Sequence, residues 1–460
     1  MRPVLLSTVA HWCEGRHLGD DVVIGAVSTD TRTIVPGSLF VALRGENFDA
    51  HDFVAEAQAR GAAALLLHRD VETDLPRVLC ADTQEALGEF AAGMQQSRRA
   101  VVVALTGSNG KTSVKALTQG ILSRAGRTYF NPGNRNNEIG LPLAVLDAPE
   151  DAEFAIYEMG AGKPGDIAYL TSIVAPQVAL VNNIAPAHME RMGSLLGIAE
   201  TKGAIYEALP DDGVAVINAD DAFAPYFAGI VGARRSFRFG IDNDADVRAS
   251  RIAIGAEASR FLLHTPAGSQ EIELPLPGRH SVMNALAAAA LALAAGAPFS
   301  AIVEGLRNAE PVKGRQIAHV LDNGAVLIDD SYNANPGSVS AAIATLAPHG
   351  ASAWLVLGNM AELGETAAAL HADIGRQARR AGLGRVWTLG ELAREASAAF
   401  GEGGRHFASH EALVAALAAE LRPGVRCLVK GSRSSAMDKV VSALLTDNNN
   451  KNSEGTGHAA

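Results

Sequence analysis

Apolar and polar positions along the chain alternate in a way that predicts strands and helices in succession. Short aliphatic runs at 100–105, 154–158, 178–182 and 214–218 read as buried strands, with helical or loop segments between them, among them 113–124 and 197–209. From 236 to 274 the runs become short and alternating, which predicts a β-rich insertion, and an Ala-rich helix over 281–294 follows. A second strand–helix alternation begins after Pro311, with strands at 326–330, 354–357, 386–389 and 425–430, the pattern of a Rossmann-like open sheet. Before residue 98 the pattern gives short apolar strands and one helix over 54–60, and Gln95-Gln96-Ser97-Arg98-Arg99 reads as a linker. From Thr446 the chain is polar and predicts a disordered tail. The expected class is α/β in three domains, 1–98, 99–310 and 311–445, with a tail at 446–460.

Charge and composition narrow the function. Against 39 lysines and arginines stand 50 acidic residues, a net charge of −11, which argues against nucleic acid as a partner. Three scattered cysteines, Cys13, Cys80 and Cys427, offer neither a disulfide framework nor a thiolate zinc site and fit a reducing compartment. The N-terminus makes a poor signal peptide, and the longest apolar stretch, 285–295, falls short of the roughly 20 residues of a membrane span. A cytoplasmic monomer with no membrane span is expected. Only eight of the cations are lysines (Lys111, Lys115, Lys163, Lys202, Lys313, Lys430, Lys439 and Lys451). A lysine kept in an arginine-rich chain can supply a compact charge or a nucleophilic amine.

The strongest chemical signal is Thr106-Gly107-Ser108-Asn109-Gly110-Lys111-Thr112, which follows the 100–105 strand and precedes the helical pattern from Ser113. Glycines let the backbone wrap a phosphate at a helix N-terminus. Lys111 would reach the β- and γ-phosphates of ATP, and the Thr112 hydroxyl would take one Mg²⁺ position. The strict pattern wants glycine where Leu105 stands. Glu158 ends the next strand, at the edge where open parallel sheets place ligands, and suits either a metal position or a structural ion pair. His188 in a following loop and Lys202 in the 197–209 helix would converge on the same edge, His188 as a ligand or as a structural residue.

With these residues in place the sequence resembles the ATP-dependent Mur ligases, to about residue 445. Their phosphate loop has the short form seen here, so Leu105 is no defect. The resemblance implies the three-domain Mur ligase architecture, with a P-loop ATPase-like central domain. It implies Mg²⁺ binding by Glu158 and His188, and a carbamylated Lys202 whose carbamate meets a metal. Asn284, in Gly278-Arg279-His280-Ser281-Val282-Met283-Asn284, resembles the base-contacting asparagine. Arg315 resembles the arginine that reaches the ATP phosphates, and Asp330 the ribose-binding aspartate. Ser28, Thr31 and Arg32 resemble the UDP-sugar pocket, while Asn137, Asn333 and Asn335 fall in substrate-side motifs. Lys430 would contact ligand in the cleft or be solvated. The runs Leu357-Gly358-Asn359-Met360-Ala361-Glu362-Leu363-Gly364 and Lys430-Gly431-Ser432-Arg433 resemble the branch that adds D-alanyl-D-alanine to UDP-N-acetylmuramoyl-tripeptide, and no D-N-P-R or D-D-P-R run occurs. A third-residue ligase, a folylpolyglutamate synthetase-like enzyme and a P-loop switch or carrier are the competing readings.

Overall fold

The computed structural model describes residues 1–45, 48–186 and 189–455, with the side chains of 447–455 left aside. Three larger sheets follow one another along the chain. The first has five strands, among them Ala26–Ser28, Ser38–Val41 and Ala62–Leu67, paired in parallel. Two helices there, Leu6–Trp12 and Thr83–Gln96, were not foreseen from the apolar pattern. The second had a legible start, since Asp82 caps it by accepting from the N–H groups of Gln84 and Glu85, with Glu85 in the first turn.

The expected linker is a packed joint. The side chain of Arg98 is buried, donating to the carbonyls of Val145 and Ala148 and pairing with Glu150 at 3.0 Å. One apolar core runs through this junction, joining Leu6, Leu87 and Phe90 to Tyr157, Ile167 and Ile198.

The second sheet has nine strands. Val101–Thr106 lies between Phe154–Glu158 and Val178–Val181, all parallel, with Val214–Asn218 beyond. The chain passes from one side of Val101–Thr106 to the other, so a switch point falls at the carboxyl end of that strand. The alternating region does not form a separate insertion. Its strands, from Arg235–Gly240 to Gly268–Leu274, extend the same sheet, first in parallel and then as antiparallel hairpins. Helices cover both faces, as a parallel sheet requires. The helix Arg279–Ala294 is buried along Ala285–Ala292 against Leu105, Val114 and Ile121. Alanine suits this position, combining high helix propensity with little bulk.

The third sheet has six strands, ordered Ile317–Val320, Val326–Asp330, Arg426–Lys430, Ala353–Leu357, Arg385–Leu389 and Gly404–Phe407. All pairs after the opening hairpin are parallel. The last helix, Asp438–Gly455, is anchored by buried Val440, Val441 and Leu444 and continues into the segment expected to be disordered from 446. Among the described residues no helix is long and apolar enough to cross a membrane.

Candidate active site

A cavity of about 650 Å³ opens at the carboxyl edge of the nine-stranded sheet and is closed from the other side by the third sheet's loops. Its floor is the turn after Val101–Thr106. Gly110, at φ 78°, caps the helix Lys111–Leu122. A side chain there would be blocked, since a Cβ would lie 2.6 Å from both Asn182 Nδ2 and Asn284 Oδ1. The N–H groups of Ser108 and Asn109 are already spent inside the protein, donating to the carbonyl and the Oδ1 of Asn183 respectively. Ser108 Oγ also donates to the Ala185 carbonyl and accepts the Ala185 N–H. These two residues therefore shape the loop, and the first N–H groups of the helix, at Lys111, Thr112 and Ser113, have no acceptor within the helix. Such a terminus favours an anion.

Lys111 Nζ donates to the Gly107 carbonyl at 2.7 Å. Burial, reinforced by nearby Arg315, pushes its pKa down, while Glu158 opposes the shift. Arg315 comes from the start of the third segment, donates to Thr112 Oγ1 at 2.9 Å and lies over the Tyr332 ring. Glu158 is buried at the edge of the cavity. Burial alone would raise its pKa, but Lys115, Lys111 and the Asn136 amide outweigh it and hold the carboxyl below its ordinary range. Its Oε1 accepts from Asn136, and its buried Oε2 accepts no hydrogen bond. A buried carboxylate oxygen that accepts no hydrogen bond and a threonine hydroxyl on the wall of the same cavity make an oxygen-only donor set that fits Mg²⁺.

The cavity gathers most of the residues expected from the sequence. Asn109, Lys111, Thr112, Glu158, Asn284 and Arg315 line it, together with Asn137, Asp330, Asn333 and Asn335. Asp330 is not free, because its Oδ2 accepts from Lys430 at 2.8 Å. Lys430, expected to contact ligand or solvent, is buried and also donates to the Asn333 carbonyl. Asn335 Oδ1 caps the helix Pro336–Leu346 by accepting the Ser338 N–H. Asn284 Oδ1 accepts from Asn182 at 3.3 Å.

Others stand apart. Lys202 does not line the cavity and is buried behind it, its pKa lowered to about 7 by burial and then by Lys111, against the pull of Asp166. His188 lies outside the described residues. Ser28, Thr31 and Arg32 belong to the first sheet's edge and are not in the cavity wall: Ser28 Oγ donates to the Asp30 carbonyl, and exposed Arg32 pairs with Asp30.

The sequence reading missed Lys115, Asn131 and His280. Lys115 is buried against Glu158, and Asn131 is fully buried. His280 lines the cavity, its pKa lowered by burial although Asp330 pulls the other way. The spacing of Lys115 four residues after Lys111 was the available signal, since it puts both on one helix face. Among the described residues, Asp49, His51 and His68 have metal-like spacing. Both ring nitrogens of His51 are occupied, Nδ1 by Asp49 and Nε2 by the His68 N–H, so the group is a hydrogen-bonded brace.

Residues 23–95 match the family described as Mur ligase family, catalytic domain. Residues 105–292 match the Mur ligase middle domain, and 314–433 the Mur ligase, glutamate ligase domain. The chain belongs to the Mur ligase family. It is 45% identical to the UDP-N-acetylmuramoyl-tripeptide--D-alanyl-D-alanine ligase of Escherichia coli (strain K12), over 96% of this chain and 99% of that one. Among solved Mur ligase structures it is similar to MurF from Acinetobacter baumannii, with a TM-score of 0.92, 32% identity and coverage of 97% and 99%. MurF from Thermotoga maritima in complex with ADP superposes with a TM-score of 0.83 at 25% identity, covering 93% and 98%. The Mur ligase architecture of three segments is thus the one built here around the cavity.

Proposed function

We propose that this Mur ligase joins D-alanyl-D-alanine to UDP-N-acetylmuramoyl-tripeptide, forming ADP and phosphate, as a cytoplasmic monomer supplying peptidoglycan precursors. The observation that carries the reading is a phosphate-loop helix terminus, Lys111 and Arg315 converging on one cavity shared by the second and third segments. Near-complete coverage of a relative with that printed activity supports the substrate assignment. The residue divisions 1–98, 99–310 and 311–445 go with it, each carrying its own sheet.

A carboxylate is a poor electrophile because its leaving group would be oxide. Lys111 and Arg315 neutralise charge on the γ-phosphate of ATP while the tripeptide carboxylate attacks it, forming an acyl phosphate and releasing ADP. The amine of the dipeptide then attacks the carbonyl carbon, and inorganic phosphate leaves. Thr112 and Glu158, with His188 by family resemblance, would hold Mg²⁺, which screens the phosphate charge when bound. Asn284 and Asp330 are assigned to the adenosine side. Ser28, Thr31 and Arg32 are assigned to the UDP-sugar, and Asn137, Asn333 and Asn335 to the peptide side. Lys202 is assigned as a carbamate: its amine, with a pKa of about 7, is free to add CO₂ and lose a proton near neutral pH.

Phosphate release measured with each substrate omitted in turn tests the reading. Turnover is expected only with ATP, the muramoyl tripeptide and the dipeptide together; ATP hydrolysis indifferent to the dipeptide would point to a switch or carrier instead.

A further inference from the structure

Lys115 lies one turn beyond Lys111 on the helix Lys111–Leu122, and its side chain is 5% exposed. Glu158 lines the cavity; Lys115 does not. The Lys115 ammonium donates to the carbonyls of Asn131 at 2.9 Å and Gly133 at 3.1 Å, and stands 3.3 Å from Glu158 Oε2. Asn131 completes the frame. Its Oδ1 accepts the Glu158 N–H, and its Nδ2 donates to the Glu158 and Arg135 carbonyls. Asn136 donates to Glu158 Oε1, and the Gly160 N–H donates to the Asn136 carbonyl. One buried cation thus touches three things at once: the nucleotide helix that carries it, the Glu158 carboxylate, and the 131–133 turn leading to Asn134, Asn136 and Asn137 on the cavity wall.

We propose that Lys115 is a positioning residue that acts from behind the cavity, fixing the Glu158 carboxylate for Mg²⁺ and anchoring the peptide-side loop to the nucleotide helix. Its charge offsets the buried carboxylate without contacting nucleotide, and its contact with Oε2 fixes how the carboxylate is held at the cavity wall. A compact ammonium suits two carbonyl acceptors and a carboxylate arranged around one point, which the planar arginine fork does not. The peptide-side part of this assignment rests on the ligase function proposed above, whereas the Glu158 part requires only a Mg²⁺–nucleotide site.

The test titrates Mg²⁺ into full-length protein with a non-hydrolysable ATP analogue, comparing wild type with Lys115→Met and Lys115→Gln. Partners that orient metal ligands commonly cost 10–100-fold in metal affinity when removed. The Mg²⁺ concentration for half-maximal binding is therefore expected to rise by about 10-fold or more, while nucleotide affinity without Mg²⁺ stays near wild type. Lys115→Gln can still donate to the Asn131 carbonyl, and it decides the matter if Lys115→Met fails to fold. In the full reaction, KM for the muramoyl tripeptide should rise with little change in KM for ATP at saturating Mg²⁺. A folded variant with lower thermal stability and an unchanged Mg²⁺ midpoint would overturn the proposal. So would a loss of nucleotide affinity in the absence of Mg²⁺, which would make Lys115 a nucleotide contact. The titration involves no acceptor, so it stands or falls separately from the dipeptide-dependence assay.

Discussion

At the residue scale the scarce lysines take different parts because their surroundings differ. Lys111 faces the cavity, and Lys111→Ala should lower kcat by an amount comparable to loss of one oxyanion donor, about 2.7–4 kcal/mol or 10²–10³-fold. Steady-state phosphate release checks this. Lys202 is buried with no hydrogen bond to a described residue, and its pKa of about 7 gives a signed expectation. The amine reacts with CO₂ only when unprotonated, so activity after removal of bicarbonate should recover on adding it above pH 7 and recover poorly below. Lys202→Arg should be inactive, and Lys202→Ala partly restored by a short carboxylate; near-normal turnover of Lys202→Ala would exclude the carbamate. The stability sign differs from that of a salt-bridged lysine. The folded pKa lies below the unfolded one, so the cost of burying the amine grows as pH falls from about 10.5 to 7, unless the amine is replaced by an anionic carbamate.

At the element scale, what was legible depended on whether chemistry lay in contiguous residues. The strand, glycine turn and helix around Lys111 form one uninterrupted run whose elements were readable, though the donation of the Ser108 and Asn109 N–H groups to Asn183 was not. The Lys115–Asn131–Glu158 frame was not, because its members lie on a helix, a turn and a strand that only the folded sheet brings together. Arg98 was misread for a related reason. A polar run resembles a linker until the carbonyls of Val145 and Ala148 are seen to satisfy its guanidinium in a buried joint. Asn335 shows one residue serving two levels. As the cap of Pro336–Leu346 its side chain should be worth about 1 kcal/mol, so Asn335→Ala should lower stability by that amount in chemical denaturation. Asn335→Asp should keep the cap. If the same side chain also contacts the peptide substrate, Asn335→Asp will raise KM while leaving stability unchanged.

At the scale of the whole molecule, the proposed reaction requires the third segment to be seated on the second. Arg315 reaches Thr112 across that junction, and Gly337, in the first turn of Pro336–Leu346, approaches the phosphate loop closely. A Cβ at Gly337 would stand 3.0 Å from Asn109 Nδ2 and 3.4 Å from Ala185 Cβ. Alanine is therefore nearly accommodated, but a branched side chain would wedge the segments apart without straining the local backbone. Displacements near 1 Å at a reacting centre can cost on the order of 100-fold in rate, and an acyl phosphate left open to water hydrolyses before the amine arrives. Gly337→Val should therefore lower peptide-bond formation by about that factor and should release more phosphate than peptide product. Binding of a nucleotide analogue should change little, because the phosphate loop and its helix belong to the second segment. The ratio of phosphate to product, with small-angle scattering of the ligand-bound protein, reads both consequences. If Gly337→Val keeps tight coupling and wild-type kcat, the contact between that helix and the phosphate loop is not what seals the site.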